Sequence, residues 1–224
     1  MSTETARFPA LHGALRAALG LAAFTLAFTA LMAFTHHITR ERIEAAAEAQ
    51  QMRLIDEILP RDQYNNALLK DAVTAAPPAN VKRIWRARRG GAPVALVFET
   101  FATDGYGGRI ELVAALGIDG RLGGVRVAAH KETPGLGDYI DPARDPDKTR
   151  PWITQFTGVD AALPLAQWAV KKDGGVFGHR AGATVSARAV TRALGQGSAW
   201  IAARREALFA APTGANIGAD AQEE

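Results

Sequence analysis

One short segment combines small residues with a hydroxyl in a way that suits phosphate chemistry. Gly182, Ala183 and Thr184 stand directly before a stretch whose apolar periodicity predicts a helix. Small residues let a phosphate approach the backbone, and the unpaired N–H groups and dipole at a helix start attract anions. The ordinary alternative is a loop in which Thr184 or Ser186 caps the helix.

A second segment, His-Lys-Glu-Thr-Pro-Gly-Leu-Gly at residues 130–137, follows a predicted strand. Its proline and glycines shape a sharp loop, and His130, Glu132 and Thr133 offer polar groups at short spacing. The loop could cover a ligand, or it could be an ordinary connection whose polar groups are solvated. It does not predict a metal site, since a second histidine at ligand spacing is missing.

Two glycine-rich turns could also lie near a ligand. Gly-Tyr-Gly-Gly at 105–108 is not a dinucleotide fingerprint, because Ile110 stands where a third glycine is required. Lys172 and Asp173 precede a Gly-Gly pair, so lysine is available there to an anion. We find no G-x-S-x-G motif, P-loop or paired carboxylates, and we predict no catalytic residue.

Composition limits the kinds of chemistry that this chain can use. It has 224 residues, 48% of them hydrophobic, 26 basic and 23 acidic residues, and no cysteine. The absence of cysteine excludes disulfides, thiolate metal sites and protein-ligated iron–sulfur clusters. Charge is spread without a basic run, so a nucleic-acid partner is not expected. Redox chemistry would need an organic cofactor or a metal held by oxygen and nitrogen.

The N-terminal part predicts a membrane anchor. Residues 17–35 carry no charge, and a helix of that length spans roughly 30 Å, the thickness of a bilayer core. A cleaved signal peptide and a buried soluble helix are the alternatives, and the retained anchor is favoured. We assign 1–16 to a cytoplasmic N-terminus and 17–38 to the anchor, although the basic residues on its two sides are nearly balanced.

The rest of the chain predicts an α+β fold, an antiparallel-sheet domain with flanking helices behind one transmembrane helix. Residues 39–80 are expected to form a helical stalk and a connection, and the stalk alternatively docks a partner subunit. The folded domain covers 81–210, and 211–224 is expected to be a flexible tail.

Within the domain, the patterns predict specific elements. Alternation predicts a meander of about four antiparallel strands, with a hairpin turn at Asp119-Gly120. A short helix is expected over 148–156, a further strand over 167–172, and a helix over 186–209. Val190, Leu194, Ile201 and Leu208 share one face of that last helix, which Gly195 and Gly197 weaken.

In order and spacing, these segments resemble the covalent FMN-binding domain family, and within it the G subunits of the Rnf electron transport complexes. The resemblance rests on the N-terminal anchor, the turn at 105–108, Asp119-Gly120, the 130–137 loop, Trp-Ile-x-Gln-Phe at 152–156, Lys-Asp-Gly-Gly at 172–175 and Gly-Ala-Thr at 182–184. It covers nearly the whole chain.

The resemblance implies a redox subunit that relays electrons through FMN within a larger ion-motive complex of ferredoxin/NAD type. FMN would be joined to Thr184 as a phosphoester by a separate flavin transferase that uses FAD and magnesium. The domain would face the periplasm from the bacterial inner membrane, among other subunits of the complex. The residues implied to lie against the flavin are Gly182, Ala183, His130, Glu132, Thr133, Gly135, Leu136, Gly137, Lys172 and Asp173.

Two positions depart from the family's attachment motif, which has Asp and then Ser or Thr where this chain has Gly178 and Ala181. The departures put recognition by the transferase in doubt, not the acceptor. Two alternatives remain open. One is the related C subunit of the sodium-translocating NADH:quinone reductase, and the other is a non-redox, membrane-anchored binding module.

Overall fold

The computed structural model describes residues 7–77 and 79–218, and it divides into two compact units, residues 1–49 and 50–224. Helix α1 (Arg7–Asp56) supplies the first unit and ends in the second. It is long and apolar enough to cross a membrane. The hydroxyls of Thr25 and Thr35 donate hydrogen bonds to the carbonyls four residues earlier, at 2.8 and 2.9 Å, so neither donor is presented bare to lipid.

The second unit is built on a six-stranded sheet with the order β5-β4-β3-β2-β1-β6. Four of its strands form the predicted antiparallel meander, namely β2 (Val81–Arg89), β3 (Ala92–Gly105), β4 (Gly108–Gly117) and β5 (Leu122–Ala129). The turn between β4 and β5 contains Asp119 and Gly120, as their type predicts. The predicted hairpin and the α+β class are confirmed.

Two short strands were missed because they carry little local signal. Strand β1 (Ala72–Ala75) lies in the expected connection and pairs antiparallel with β2. Strand β6 (Asn216–Ile217) lies in the expected flexible tail and pairs parallel with β1. Within the expected flexible tail, the backbone of Gly214, Ala215 and Ile217 thus makes hydrogen bonds with β1 and the residue after it, while 219–224 fall outside the described residues.

Both faces of the sheet are covered, which is why its central strands are apolar on both sides. Helices α2 (Thr184–Ala203) and α3 (Arg205–Ala210) pack on one face. The residues of the predicted apolar stripe, Val190, Leu194, Ile201 and Leu208, are fully buried there. On the other face, Ile55, Ile58 and Leu59 bury themselves against Trp85, Val97 and Val113.

The segment between β5 and α2 is made of short 3₁₀ turns rather than longer elements. The helix predicted over 148–156 is a 3₁₀ turn at Trp152–Phe156. The strand predicted over 167–172 is wrong, since the chain forms turns at Leu165–Gln167 and Lys171–Asp173 with one bridge between Val170 and Phe177. Trp168 and Val170 are apolar because they are buried in the core, not because they belong to a sheet.

Candidate functional site

A cleft of about 150 Å³ opens where three segments meet: the turn between β3 and β4, the loop after β5, and the start of α2. The 130–137 loop and the Gly-Ala-Thr segment were expected to hold a ligand, whereas the glycine-rich stretch at 105–108 was expected to be a turn between strands. The residues that line the cleft are Tyr106, Glu132, Thr133, Leu136, Gly137, Gly182, Ala183, Val185 and Ser186.

The start of α2 is open to a ligand. Thr184 is the first helical residue, and Ala183 at the N-cap position makes no side-chain capping bond. Gly182 has φ +83°, a left-handed backbone conformation that residues other than glycine rarely adopt. The prediction that Thr184 or Ser186 caps the helix is therefore wrong, because the N-cap position falls on an alanine. The first-turn N–H groups keep their capacity to bind an anion.

Thr184 itself lies between two cleft-lining neighbours. Its side chain is partly exposed, and its hydroxyl makes no hydrogen bond with any residue that the structure describes. Ser186, two residues later, is buried and engaged. The two hydroxyls at the start of α2 thus differ, and only that of Thr184 is available to react.

The turn that leads into Thr184 is held by Tyr139. Its phenol donates to the carbonyl of Ala183 at 3.2 Å and accepts the backbone N–H of Arg180 at 3.3 Å. Burial raises the pKa of Tyr139, so the phenol remains a donor. The Arg180 guanidinium in turn pairs with Asp145, a fully buried carboxylate that also accepts the backbone N–H of Trp152.

Gly178, the first of the two departures from the family motif, is held on both sides of its peptide. Its carbonyl accepts the indole N–H of Trp152 at 2.7 Å, and its N–H donates to Gln155 Oε1 at 2.7 Å. A Cβ at this position would stand 3.5 Å from Gln155 Oε1, an ordinary contact. Ala181, the second departure, is exposed. Neither departure is required by packing.

The 130–137 loop is ordered by its own backbone. The N–H groups of Leu136 and Gly137 both donate to the carbonyl of Thr133 at 3.1 Å. His130 accepts the N–H of Glu132 at Nδ1 at 3.1 Å, and Gly135 donates to Asp138 at 2.9 Å. His130 and Gly135 thus shape the loop without lining the cleft, whereas Thr133 and Leu136 reach it.

Glu132 connects the loop to both other segments. Only 4% of it is exposed. Its Oε1 accepts the N–H of Gly107 at 3.0 Å, and its Oε2 accepts the hydroxyl of Ser186. The loop, the β3–β4 turn and the first turn of α2 therefore meet at one carboxylate.

Lys172 and Asp173 lie beside α2 rather than in the cleft lining. Asp173 pairs with Arg188, one turn beyond Thr184, at 2.6 Å between Oδ1 and Nη2. The Arg188 hydrogen bond lowers the pKa of Asp173, and it outweighs the opposing effect of burial. Lys172 is exposed on the same turn. This pair fixes the 171–175 turn to α2 and leaves the lysine in solvent.

Tyr106, Val185 and Ser186 line the cleft and were not among the predicted contacts. Tyr106 is 73% exposed, Leu136 56% and Val185 41%, so an apolar rim surrounds the opening. Tyr106 stands in the glycine-rich turn that the sequence singled out, and an aromatic residue there was the signal. Val185 and Ser186 follow Thr184 directly, and both line the cleft from the first turn of α2.

The residues present fit FMN. The uncapped helix start next to the free Thr184 hydroxyl suits a phosphate, and the apolar rim suits the faces of a flavin ring. FMN at this place would supply the electron transfer that a cysteine-free chain lacks.

Comparisons with known proteins agree with this site. A family model described as the RnfG N-terminal region matches residues 11–58, and one described as an FMN-binding domain matches residues 105–197. The second match spans all three segments of the cleft.

Proteins named as the G subunit of an ion-translocating oxidoreductase complex are similar over most of their length. The one from Pseudoalteromonas atlantica is 41% identical, covering 85% of this chain and 89% of the relative. The one from Pseudomonas aeruginosa is 41% identical over 88% and 92%, and the one from Escherichia coli K12 is 40% identical over 78% and 84%. The chain belongs to the family of G subunits of ion-translocating oxidoreductase complexes, and it contains an FMN-binding domain.

Proposed function

We propose that this chain is a membrane-anchored flavoprotein subunit that carries FMN as a phosphoester on Thr184 and relays electrons within an ion-translocating complex of ferredoxin/NAD type. The observation that carries the proposal is the free, partly exposed Thr184 hydroxyl at the uncapped start of α2, beside a cleft with an apolar rim. Covalent attachment would prevent the loss of a cofactor that is scarce outside the cytoplasm.

Attachment would be a phosphoryl transfer that moves the FMN half of FAD to the Thr184 oxygen and releases AMP. A flavin transferase supplies FAD and Mg²⁺. The Thr184 oxygen forms a bond to the phosphorus of the FMN half, the P–O–P bond breaks, AMP leaves, and the hydroxyl proton goes to solvent or to a base of the transferase. No oxidant or reductant is needed.

Each part of the chain has a separate task once the cofactor is in place. The first-turn N–H groups of α2 would hold the phosphoester charge, since the helix start has no side-chain cap. Leu136, Val185 and Tyr106, the exposed side chains at the rim of the cleft, would shield the ring from water. Tyr139 would keep the 180–183 turn in place through its hydrogen bonds with Ala183 and Arg180.

The anchor is proposed to lie in the bacterial inner membrane with the domain on the periplasmic side. The apolar helix near the N-terminus and the ion-translocating complex in the relatives' name support a membrane location. Other subunits of the complex would supply and accept the electrons.

The test is ultraviolet fluorescence of the protein band on a denaturing gel after co-expression with a flavin transferase. Wild type is expected to fluoresce, and Thr184→Val, which keeps the size of the side chain, is expected to be dark. Thr133→Val is the matched control, because Thr133 also lines the cleft with an exposed side chain. A dark wild-type band, or a fluorescent Thr184→Val band, would refute the proposal.

A further inference from the structure

We propose, on the basis of the function proposed above, that Glu132 is a positioning residue that ties the two walls of the flavin cleft to each other. The β3–β4 turn forms one wall and the first turn of α2 forms the other. In this view Glu132, although it lines the cleft, acts through its hydrogen bonds with Gly107 and Ser186 rather than by a hydrogen bond to the flavin.

The carboxylate of Glu132 is hydrogen-bonded to both walls of the cleft. Each of its two carboxylate oxygens already has a donor from the chain, the Gly107 N–H at 3.0 Å and the Ser186 hydroxyl. These donors belong to segments about 80 residues apart in sequence. A carboxylate with both oxygens engaged in this way is a bridge between the segments, because losing either donor would release one of them.

Backbone from both cleft motifs packs closely around the Glu132 carboxylate. A Cβ on Gly105 would stand 2.7 Å from Glu132 Oε1, and a Cβ on Gly137 would stand 2.7 Å from Oε2. A Cβ on Gly107 would overlap the carbonyl of Lys131. The glycines of the two cleft motifs are therefore needed to let backbone close around this one side chain.

Burial of the Glu132 carboxylate costs free energy that its hydrogen bonds must offset. Among the described residues it has no ion-pair partner, and its hydrogen bonds come from dipolar N–H and O–H groups. Burying a carboxylate without a cation is unfavourable unless its hydrogen bonds are satisfied. The two hydrogen bonds are therefore required by the buried carboxylate, and they fix Gly107 and Ser186 relative to each other.

The variants separate positioning from general stability. Glu132→Ala removes the bridge, and Ser186→Ala removes only the link to α2. Glu132→Gln keeps the bridge between the two walls. Its amide oxygen can accept the Gly107 N–H, and its amide NH₂ group can donate to the Ser186 hydroxyl. Glu111→Ala is the matched control, removing a partly exposed carboxylate that pairs with Lys82 outside the cleft.

The measurement is time-resolved fluorescence anisotropy of the flavin in the full-length, covalently loaded protein. Glu132→Ala and Ser186→Ala are expected to lose the slowly decaying part of the anisotropy, because the ring gains local motion. Wild type, Glu132→Gln and Glu111→Ala are expected to retain it. Far-ultraviolet circular dichroism checks that each variant is folded. If Glu132→Ala does not fold, the anisotropy decay of Ser186→Ala tests the bridging role instead.

Failure of this proposal is distinct from failure of the flavin assignment. A dark wild-type band on the denaturing gel would overturn the attachment itself. Fluorescent bands throughout, with an unchanged anisotropy decay in folded Glu132→Ala and Ser186→Ala, would overturn the bridging role alone. Loss of anisotropy in Glu132→Gln to the same extent as in Glu132→Ala would also overturn it, since charge and not the bridge would then matter.

Discussion

The phenol of Tyr139 donates a hydrogen bond to the carbonyl of Ala183, the residue directly before Thr184. Tyr139 also accepts the Arg180 N–H, so one oxygen fixes both ends of the turn that leads into Thr184. The ring is buried, and its edge-on contact with Trp152, 5.4 Å between centroids, holds it in place.

Tyr139→Phe is therefore expected to lower the free energy of unfolding by about 1–2 kcal/mol, because it removes the hydrogen bonds to the Ala183 carbonyl and from the Arg180 N–H. It is also expected to slow flavin attachment. Chemical denaturation and the rate of gain of gel fluorescence measure the two effects. Tyr64→Phe is the control, since the buried Tyr64 hydroxyl has no hydrogen-bond partner among the described residues. Equal destabilisation by both variants would contradict the prediction.

Gly178→Asp combined with Ala181→Ser is expected to speed flavin attachment by restoring the family's motif. Neither change should disturb the fold, because a Cβ at Gly178 meets only an ordinary contact and Ala181 is exposed. The measurement is the rate of labelling by purified transferase with FAD and Mg²⁺. An unchanged rate would mean that the two positions do not limit recognition of this chain.

Asp71→Asn is expected to destabilise the domain by about 3 kcal/mol, since it leaves Arg86, only 3% exposed on its side chain, without its carboxylate. Urea denaturation at neutral pH measures this loss. Asp104→Asn breaks the exposed pair with Arg192 and should cost less than about 1 kcal/mol. Similar losses in both variants would argue against a special role for the Asp71 pair.

The same residue predicts a pH dependence. Burial raises the pKa of Asp71, but hydrogen bonds and charges of Arg86 and Arg88 outweigh it, so the pKa is lowered in the fold. Its stabilising effect is complete above the unfolded-state pKa of about 4 and is lost as pH falls through the lower folded-state pKa. The stability gap between wild type and Asp71→Asn should therefore narrow below a pH of about 4. A gap that stays constant down to a pH of about 2 would count against it.

Gly195→Ala is expected to destabilise the protein although alanine is the better helix former by about 1 kcal/mol. The new Cβ would stand 2.6 Å from the Cβ of the buried Trp168, and overpacking of this kind costs about 1–3 kcal/mol beyond the helix gain. Thermal unfolding monitored by tryptophan fluorescence measures the balance. A rise in melting temperature would show that Trp168 moves aside freely.

The lack of native cysteine gives a direct test of orientation. Thr149→Cys, at an exposed position of the domain, is expected to react with a membrane-impermeant maleimide in intact spheroplasts. Ser2→Cys is expected to react only after the membrane is broken. The reverse pattern would place the flavin domain in the cytoplasm.

Local signals were enough to predict the central hairpins and the apolar face of the last helix. Alternation and the Asp119-Gly120 turn are properties of adjacent residues, as is the spacing of Val190 and Leu194. The site was predicted in part for the same reason, since Thr184 and the 130–137 loop are contiguous motifs. The resemblance supplied the cofactor.

What the sequence did not predict depends on contacts between distant segments. Glu132 was expected to contact a ligand, but its link to Ser186 depends on how β5 and α2 are brought together. Lys172 and Asp173 were expected near the flavin, and the Arg188 pair that fixes their turn depends on the path of a long irregular segment. Strands of two to four residues, such as β1 and β6, are too short for periodicity to reveal.

The parallel pairing of β6 with β1 sets an order for making the protein. The meander from β2 to β5 joins neighbouring segments, so it can form while the chain is still emerging from the ribosome or translocon. Thr74 of β1, by contrast, can pair with β6 only after Asn216, near the end of the chain, has been made. The sheet edge is therefore completed last, and nascent chains interrupted before that point would expose an unpaired β1 edge to aggregation and proteolysis.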